Sequence, residues 1–240
     1  MTIFDYIKKL DKNCTFFEIG CHHGYDTEKI VEVLPEVNLY AFEPDPRNIS
    51  IIKKRKLDQK VKLIESCVSN KEGKETFHLS SGLPPILAKM DEQTKNLPDH
   101  IQLHPDHLEL RDFCQSGEWS ASSSIKKPKE HLETTPWCTF DKTIEVDSIT
   151  VDSFCNRENI NKIDFIWMDV QGAEDLVFEG ASDTLTNNKV DYIYTEFSDK
   201  ELYENQMNLK QIKNSLPNYE TVDFFNEKGG TDVLLKNKNL

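Results

Sequence analysis

Four acids stand at or next to the ends of apolar runs: Glu18 in Phe17-Glu18-Ile19-Gly20, Glu43 after Leu39-Tyr40-Ala41-Phe42, Asp169 closing Ile163-Asp164-Phe165-Ile166-Trp167-Met168-Asp169, and Glu196 near the end of Val190–Phe197. In an open parallel sheet, ligands bind beyond the carboxyl ends of the strands. A single acid there has an equal claim as a helix cap or a solvated carboxylate. Four on one edge describe a pocket for a ligand carrying positive charge and hydroxyls.

The glycines narrow the ligand. Gly20 and Gly24 enclose Cys21-His22-His23, and glycines let a loop turn tightly and approach a ligand closely. Glu43, nineteen residues past Gly24, is placed to take both hydroxyls of a ribose. A dinucleotide site uses G-x-G-x-x-G to bring a helix N-terminus onto a pyrophosphate. Here the middle glycine is missing, and Glu18 would repel phosphate. An acid suits the ammonium of a methionine moiety, so the ligand read from these residues is S-adenosylmethionine. An NAD-dependent oxidoreductase is the alternative, and the missing glycine argues against it. The adjacent His22 and His23 invite a metal-site reading. They cannot share one face of a regular element, and no Cys or acid completes a ligand set at usual spacing. They are expected to pack the loop, with His23 the candidate to line the transfer pocket and aid proton removal.

Strand and helix patterns alternate around these residues. Cys14–Ile19, Val37–Phe42 and Val61–Ser66 read as strands, Asp26–Leu34 and Pro46–Leu57 as helices, and Glu75–Leu79 as a short fourth strand. This is the βαβαβ unit of a doubly wound sheet. Lys142–Val151, Ile163–Val170 and Val190–Phe197 follow as strands, with helices at Ala173–Leu185 and Leu209–Leu216. The chain ends in an expected hairpin, Tyr219–Phe225 and Thr231–Leu235, around Lys228-Gly229-Gly230. From about 82 to 136 there is no clean period, which predicts an insertion covering the site within one domain spanning 1–240. His100, His104 and His107 in it have helix-like spacing interrupted by Pro98 and Pro105, and are expected in a solvated loop.

The chain resembles the FkbM family of S-adenosylmethionine-dependent methyltransferases. The resemblance rests on Phe17-Glu18-Ile19-Gly20 with Gly24, Phe42-Glu43-Pro44, Val68–Gly73, Val151-Asp152-Ser153-Phe154, Ile163–Glu174 and Gly180-Ala181. It implies an α/β class I methyltransferase fold, a Rossmann-like doubly wound seven-stranded sheet with the last strand antiparallel. It also implies O-methylation of a hydroxyl on a sugar, glycan or other small molecule. In that frame Asp169 is the expected base, or orients the acceptor, and borders the cofactor with Glu18, Gly20, Gly24 and Glu43. A divalent-metal ligand is the alternative role for Asp169, weakened because the family usually has an acid where this chain has Gln171. Ser66 and Cys67 would border the adenine. Ser124, Gln171 and Glu196 are expected on the acceptor side, and Glu174 at a helix start. No metal is expected. A non-catalytic relative, or methylation of RNA or protein, are further alternatives.

Composition bounds the partners. With 29 Lys+Arg against 42 Asp+Glu, the formal net charge is −13 over 240 residues. Such a surface repels polyphosphate, so neither nucleic acid nor an anionic membrane is an expected partner. Lys53-Lys54-Arg55-Lys56 reads as a solvated helix face. The six cysteines form no C-x-x-C pair, which suits buried thiols in a reducing compartment. No signal peptide or run of ~20 apolar residues is evident. A soluble, cytoplasmic protein is expected.

Overall fold

The computed structural model describes residues 1–85, 119–187, 189–225 and 231–240. His100, His104, His107, Cys114 and the turn at Lys228-Gly229-Gly230 lie outside the described residues, as does most of the expected insertion. In chain order the elements are α1 (Ile3–Ile7), β1 (Thr15–Ile19), α2 (Tyr25–Val33), β2 (Asn38–Phe42), α3 (Pro46–Lys54), β3 (Lys62–Ile64), β4 (Cys67–Val68) and β5 (Gly73–Ser81). Next come α4 (His131–Thr134), β6 (Thr139–Ile149), α5 (Val151–Glu158), β7 (Ile163–Met168), α6 (Glu174–Gly180), α7 (Ser182–Thr186), β8 (Val190–Phe197), α8 (Leu209–Ser215), β9 (Tyr219–Phe225) and β10 (Thr231–Asn237).

Seven strands form one sheet in the order β3-β2-β1-β7-β8-β10-β9. β1 pairs in parallel with β2 and β7, β2 with β3, and β7 with β8. β10 runs antiparallel between β8 and β9. The expected doubly wound sheet with its reversed last strand is therefore present.

Its cause is visible in β1. Successive side chains of a strand face opposite sides, and here both sides are aromatic. Phe16 stacks on Phe165 at 4.9 Å under α1 and α2, with Ile3, Ile7 and Ile30. Phe17 meets Phe42 and Phe154 on the other side, where α5, α6 and α8 contribute Val151, Val177 and Ile212. A strand apolar on both faces needs helices on both, which is the physical content of the double winding.

Several elements differ from the sequence expectation, α1, β4, α4 and α5 being additional to it and Val151 opening α5 instead of ending a strand. The expected fourth strand, β5, does not join the main sheet. It runs antiparallel to β6 in a separate sheet of order β4-β6-β5. Only residues 69–72 separate β4 from β5, too few for the crossover that a parallel strand requires. The helix expected over Ala173–Leu185 breaks at Ala181, because Gly180 packs onto the Ser69 carbonyl; a Cβ there would lie 2.0 Å from that oxygen. The helix from Pro46 ends at Lys54, and a 3-10 turn at Leu57–Gln59 follows.

Candidate functional site

Strand order reverses between β1 and β7, so the chain leaving each strand turns to opposite faces and leaves a crevice. A cleft of about 1010 Å³, open mouth included, occupies this place. Gly20 makes it possible. It sits at φ +89°, and a Cβ would stand 1.9 Å from the Asp169 carbonyl oxygen. The Asp169 amide donates to the Ile19 carbonyl at 2.9 Å, and the Gly20 amide to Phe42 at 2.9 Å. Three strand ends are thereby drawn together, bringing Glu18, Glu43 and Asp169 around one space. Gly24, at φ +76°, caps α2 behind the loop and is not part of the wall.

The carboxyl groups are held differently. Glu18 is buried and accepts from the Thr27 hydroxyl at 2.6 Å. Burial pushes it up to about 8, against the pull of that hydrogen bond. Glu43 accepts from the His22 amide at 2.7 Å, the Asp45 amide at 2.8 Å and Asn48 Nδ2 at 3.2 Å. Burial still pushes it up to about 8. Asp169 accepts from Gln171 Nε2 at 2.6 Å. Its depth in the cleft pushes it up to about 6, with Gln171 pulling the other way. Its side chain meets the solvent filling the cleft, which tempers that rise. Glu174 is buried and pushed up to about 7, chiefly by burial.

Other expected residues are placed as follows. His23, Ser66, Cys67 and Gln171 are on the cleft wall. Burial pushes the Cys67 thiol up to about 11. Ser124 is buried behind the wall, its hydroxyl donating to the Gln171 carbonyl at 2.8 Å. Glu196 is half-buried and outside the wall; burial and then the charges of Asp169 and Asp232 push it up to about 9. The imidazoles of His22 and His23 stack at 3.8 Å, and both Nε2 atoms face the Ser120 hydroxyl, at 2.9 and 3.4 Å. Burial holds His22 well below its ordinary value. Among the described residues, no group of three or more His, Cys, Asp or Glu could hold a metal ion.

Sequence reasoning missed Asn48, Tyr25, Asp26, Trp167, Ser120 and Ser123 on the wall. Asn48 carried a signal: it is a polar residue beside the apolar Ile49 and Ile52 on the inward face of α3. The serine run carried none, because it reads as a loop until it is seen against the histidines.

Four carboxyl groups line the cleft, Glu18, Asp26, Glu43 and Asp169, and no Lys or Arg is among its lining residues. That donor set fits a cationic ligand with hydroxyls and opposes the pyrophosphate of a dinucleotide. A seven-stranded doubly wound sheet with a reversed last strand, and such a cleft at its switch point, define an S-adenosylmethionine-dependent methyltransferase of class I. Residues 18–224 match the Methyltransferase FkbM domain, and the chain belongs to this family. The methyl donor is S-adenosylmethionine.

Over 225 residues the chain is 36% identical to the 2-O-methyltransferase NoeI of Sinorhizobium fredii, covering 93% of this chain and 79% of that protein. Among solved structures, Aeropyrum pernix fibrillarin with natively bound S-adenosyl-L-methionine matches with a TM-score of 0.43 and 11% identity, over 97% of this chain and 73% of that one. A putative rRNA-methylase from Clostridium thermocellum matches with a TM-score of 0.45 and 10% identity, over 98% and 93%. No helix among the described residues is long and apolar enough to cross a membrane.

Proposed function

We propose that the protein methylates a hydroxyl oxygen of a sugar, glycan or related small molecule. The observation that carries this reading is the 36% identity, along 93% of the chain, to a protein named as a 2-O-methyltransferase. The carboxyl-lined cleft, with no Lys or Arg among its lining residues, and the net charge of −13 favour a small acceptor over nucleic acid.

The bound cofactor supplies a methyl group already activated on a sulfonium, displaced in line by the acceptor oxygen. The protein's part is to orient the acceptor and take its proton. In this reading Glu18 holds the methionine ammonium, and Gly20, with Gly24 starting the helix, lets the loop lie close beneath. Glu43 binds the ribose, and Ser66 and Cys67 border the adenine. Asp169, one oxygen of which is held by Gln171, would take the hydroxyl proton of the acceptor. His23, on the same wall, is the second candidate for that proton. Ser124 fixes the Gln171 backbone, and Glu196 offers a protonated carboxyl towards the outer, acceptor end. Residues 1–240 act as one domain with an insertion at about 82–136. Its described part supports this, since Ser120 and Ser123 are in the cleft wall. The five described cysteines are free and buried, as suits work in the cytoplasm.

The test is a panel of neutral and amino sugars incubated with protein and S-adenosylmethionine, read by mass spectrometry and by release of the demethylated cofactor. A gain of one CH2 on a sugar oxygen supports the reading. Methyl transfer confined to RNA or protein overturns it.

A further inference from the structure

The carboxylate of Glu43 does not have room for a whole ribose diol. An ionised carboxyl offers about four lone-pair sites, two on each oxygen. Oε1 already accepts from the Asp45 amide at 2.8 Å and from Asn48 Nδ2 at 3.2 Å. Oε2 accepts from the His22 amide at 2.7 Å. One site remains, on Oε2.

Beside it stands an atom with the opposite problem. Asn48 is 2% exposed and on the cleft wall, and its Oδ1 is buried with no hydrogen-bond partner among the described residues. The orientation of the amide is dictated by chemistry. Turning it over would set Oδ1 against the Glu43 oxygen that Nδ2 now serves, so the oxygen must face away from the carboxylate. A buried acceptor left without a donor is costly, and the ligand of this cleft is the donor on hand.

We propose that Asn48 is a specificity-determining residue for the cofactor, its Oδ1 accepting from one ribose hydroxyl while Glu43 Oε2 accepts from the other. The diol is read by two side chains that are hydrogen-bonded to each other. A ligand lacking one hydroxyl leaves Asn48 Oδ1 unserved, and a ligand lacking the other leaves the last site on Glu43 Oε2 empty. This deepens the S-adenosylmethionine reading of the cleft and rests on it.

The experiment is calorimetry with S-adenosylhomocysteine and its 2′-deoxy and 3′-deoxy counterparts, on wild type and on Asn48→Ala. Wild type should lose about tenfold in affinity for each missing hydroxyl, the loss expected of a buried hydrogen bond. Asn48→Ala should bind the parent about tenfold more weakly, and one of the two deoxy ligands should then lose nothing further. That coupling is what a merely structural role lacks. An equal loss across all three ligands would show that Asn48 only props Glu43, and overturns the assignment. So does a wild type indifferent to either deletion, a result that needs no variant to fold. Failure of wild type to bind the parent at all removes the cofactor reading itself, and this assignment with it.

Discussion

Glu18→Gln separates the cost of the cleft from its use. In the free protein the Glu18 carboxyl is pushed up to about 8 by burial, so at pH 7 it is mostly protonated. A cationic ligand favours the ionised form, and binding must therefore expel the proton. The sign follows: below about 8, affinity rises with pH, by tenfold per unit for one released proton, or about 1.4 kcal/mol. Glu43, also pushed up to about 8, steepens the rise if it titrates with Glu18. Stability of the free protein moves the opposite way. A carboxyl whose folded value lies above its unfolded one stabilises fully below about 4.5 and loses that contribution as pH rises towards 8. The full interval corresponds to an upper bound of about 5 kcal/mol, which local relaxation reduces. Gln keeps an oxygen for the Thr27 hydroxyl and has no charge to bury. Glu18→Gln should thus melt higher than wild type at pH 8 without ligand, yet bind S-adenosylhomocysteine about 10–100-fold more weakly there. Calorimetry between pH 6 and 8, in buffers of different ionisation enthalpy, counts the proton directly. A flat affinity in wild type, or the same pH slope in Glu18→Gln, refutes the argument.

Asp169→Asn keeps the shape of the site but removes the basic oxygen. Turnover should fall by about two to four orders of magnitude while cofactor affinity, measured by calorimetry, changes little. Wild-type turnover should rise with pH through about 6 and then level off, and chelator should leave it unchanged. An Asn variant with near wild-type turnover moves the proton to His23. Gly20→Ala forces a Cβ into the Asp169 carbonyl from a left-handed backbone. It should destabilise by about 3 kcal/mol or more and lower the melting temperature sharply; a soluble variant with unchanged melting would show the β1–β7 approach to be adjustable.

How much of this was legible depended on whether the information lay along one strand or between distant ones. Glu18, Glu43 and Asp169 were readable because each ends an apolar run, and a parallel sheet sends all such ends to one edge. Glu196 obeyed the same rule and still fell outside the cleft wall. The rule places an acid at the edge, and distance from the switch point then decides whether it reaches the ligand. β8 lies beyond β7 from β1. Asn48 was missed because its burial depends on α3 folding back over the loop after β1. Ser120 was missed because its partners, His22 and His23, stand 98 and 97 residues away in sequence. The fate of β5 was in principle readable, since the short link before it forbids a parallel pairing, but the apolar alternation there spoke only of a strand.

Gln171 governs the charge state of Asp169. Asp169 sits among Glu174, Glu196 and Asp232, whose charges all disfavour its ionisation or suffer from it. A second carboxylate two residues on would add repulsion at close range and push Asp169 further towards its neutral, non-basic form. The amide does the reverse. Its Nε2 donates to Asp169 at 2.6 Å, and turning the amide over would set its oxygen against that carboxylate. Tyr203 is fully buried and gives its hydroxyl proton to the Ser122 carbonyl at 2.7 Å, with Gln171 Oε1 3.2 Å from the same hydroxyl. Gln171 itself is at φ +53°, and Gly172 beside it has no room for a Cβ against the Tyr203 ring. The turn after β7 is thus held in a left-handed backbone by packing on Tyr203. In the reaction proposed above, Gln171 in that place favours the ionised form of Asp169 and so a single carboxylate as the base near neutral pH.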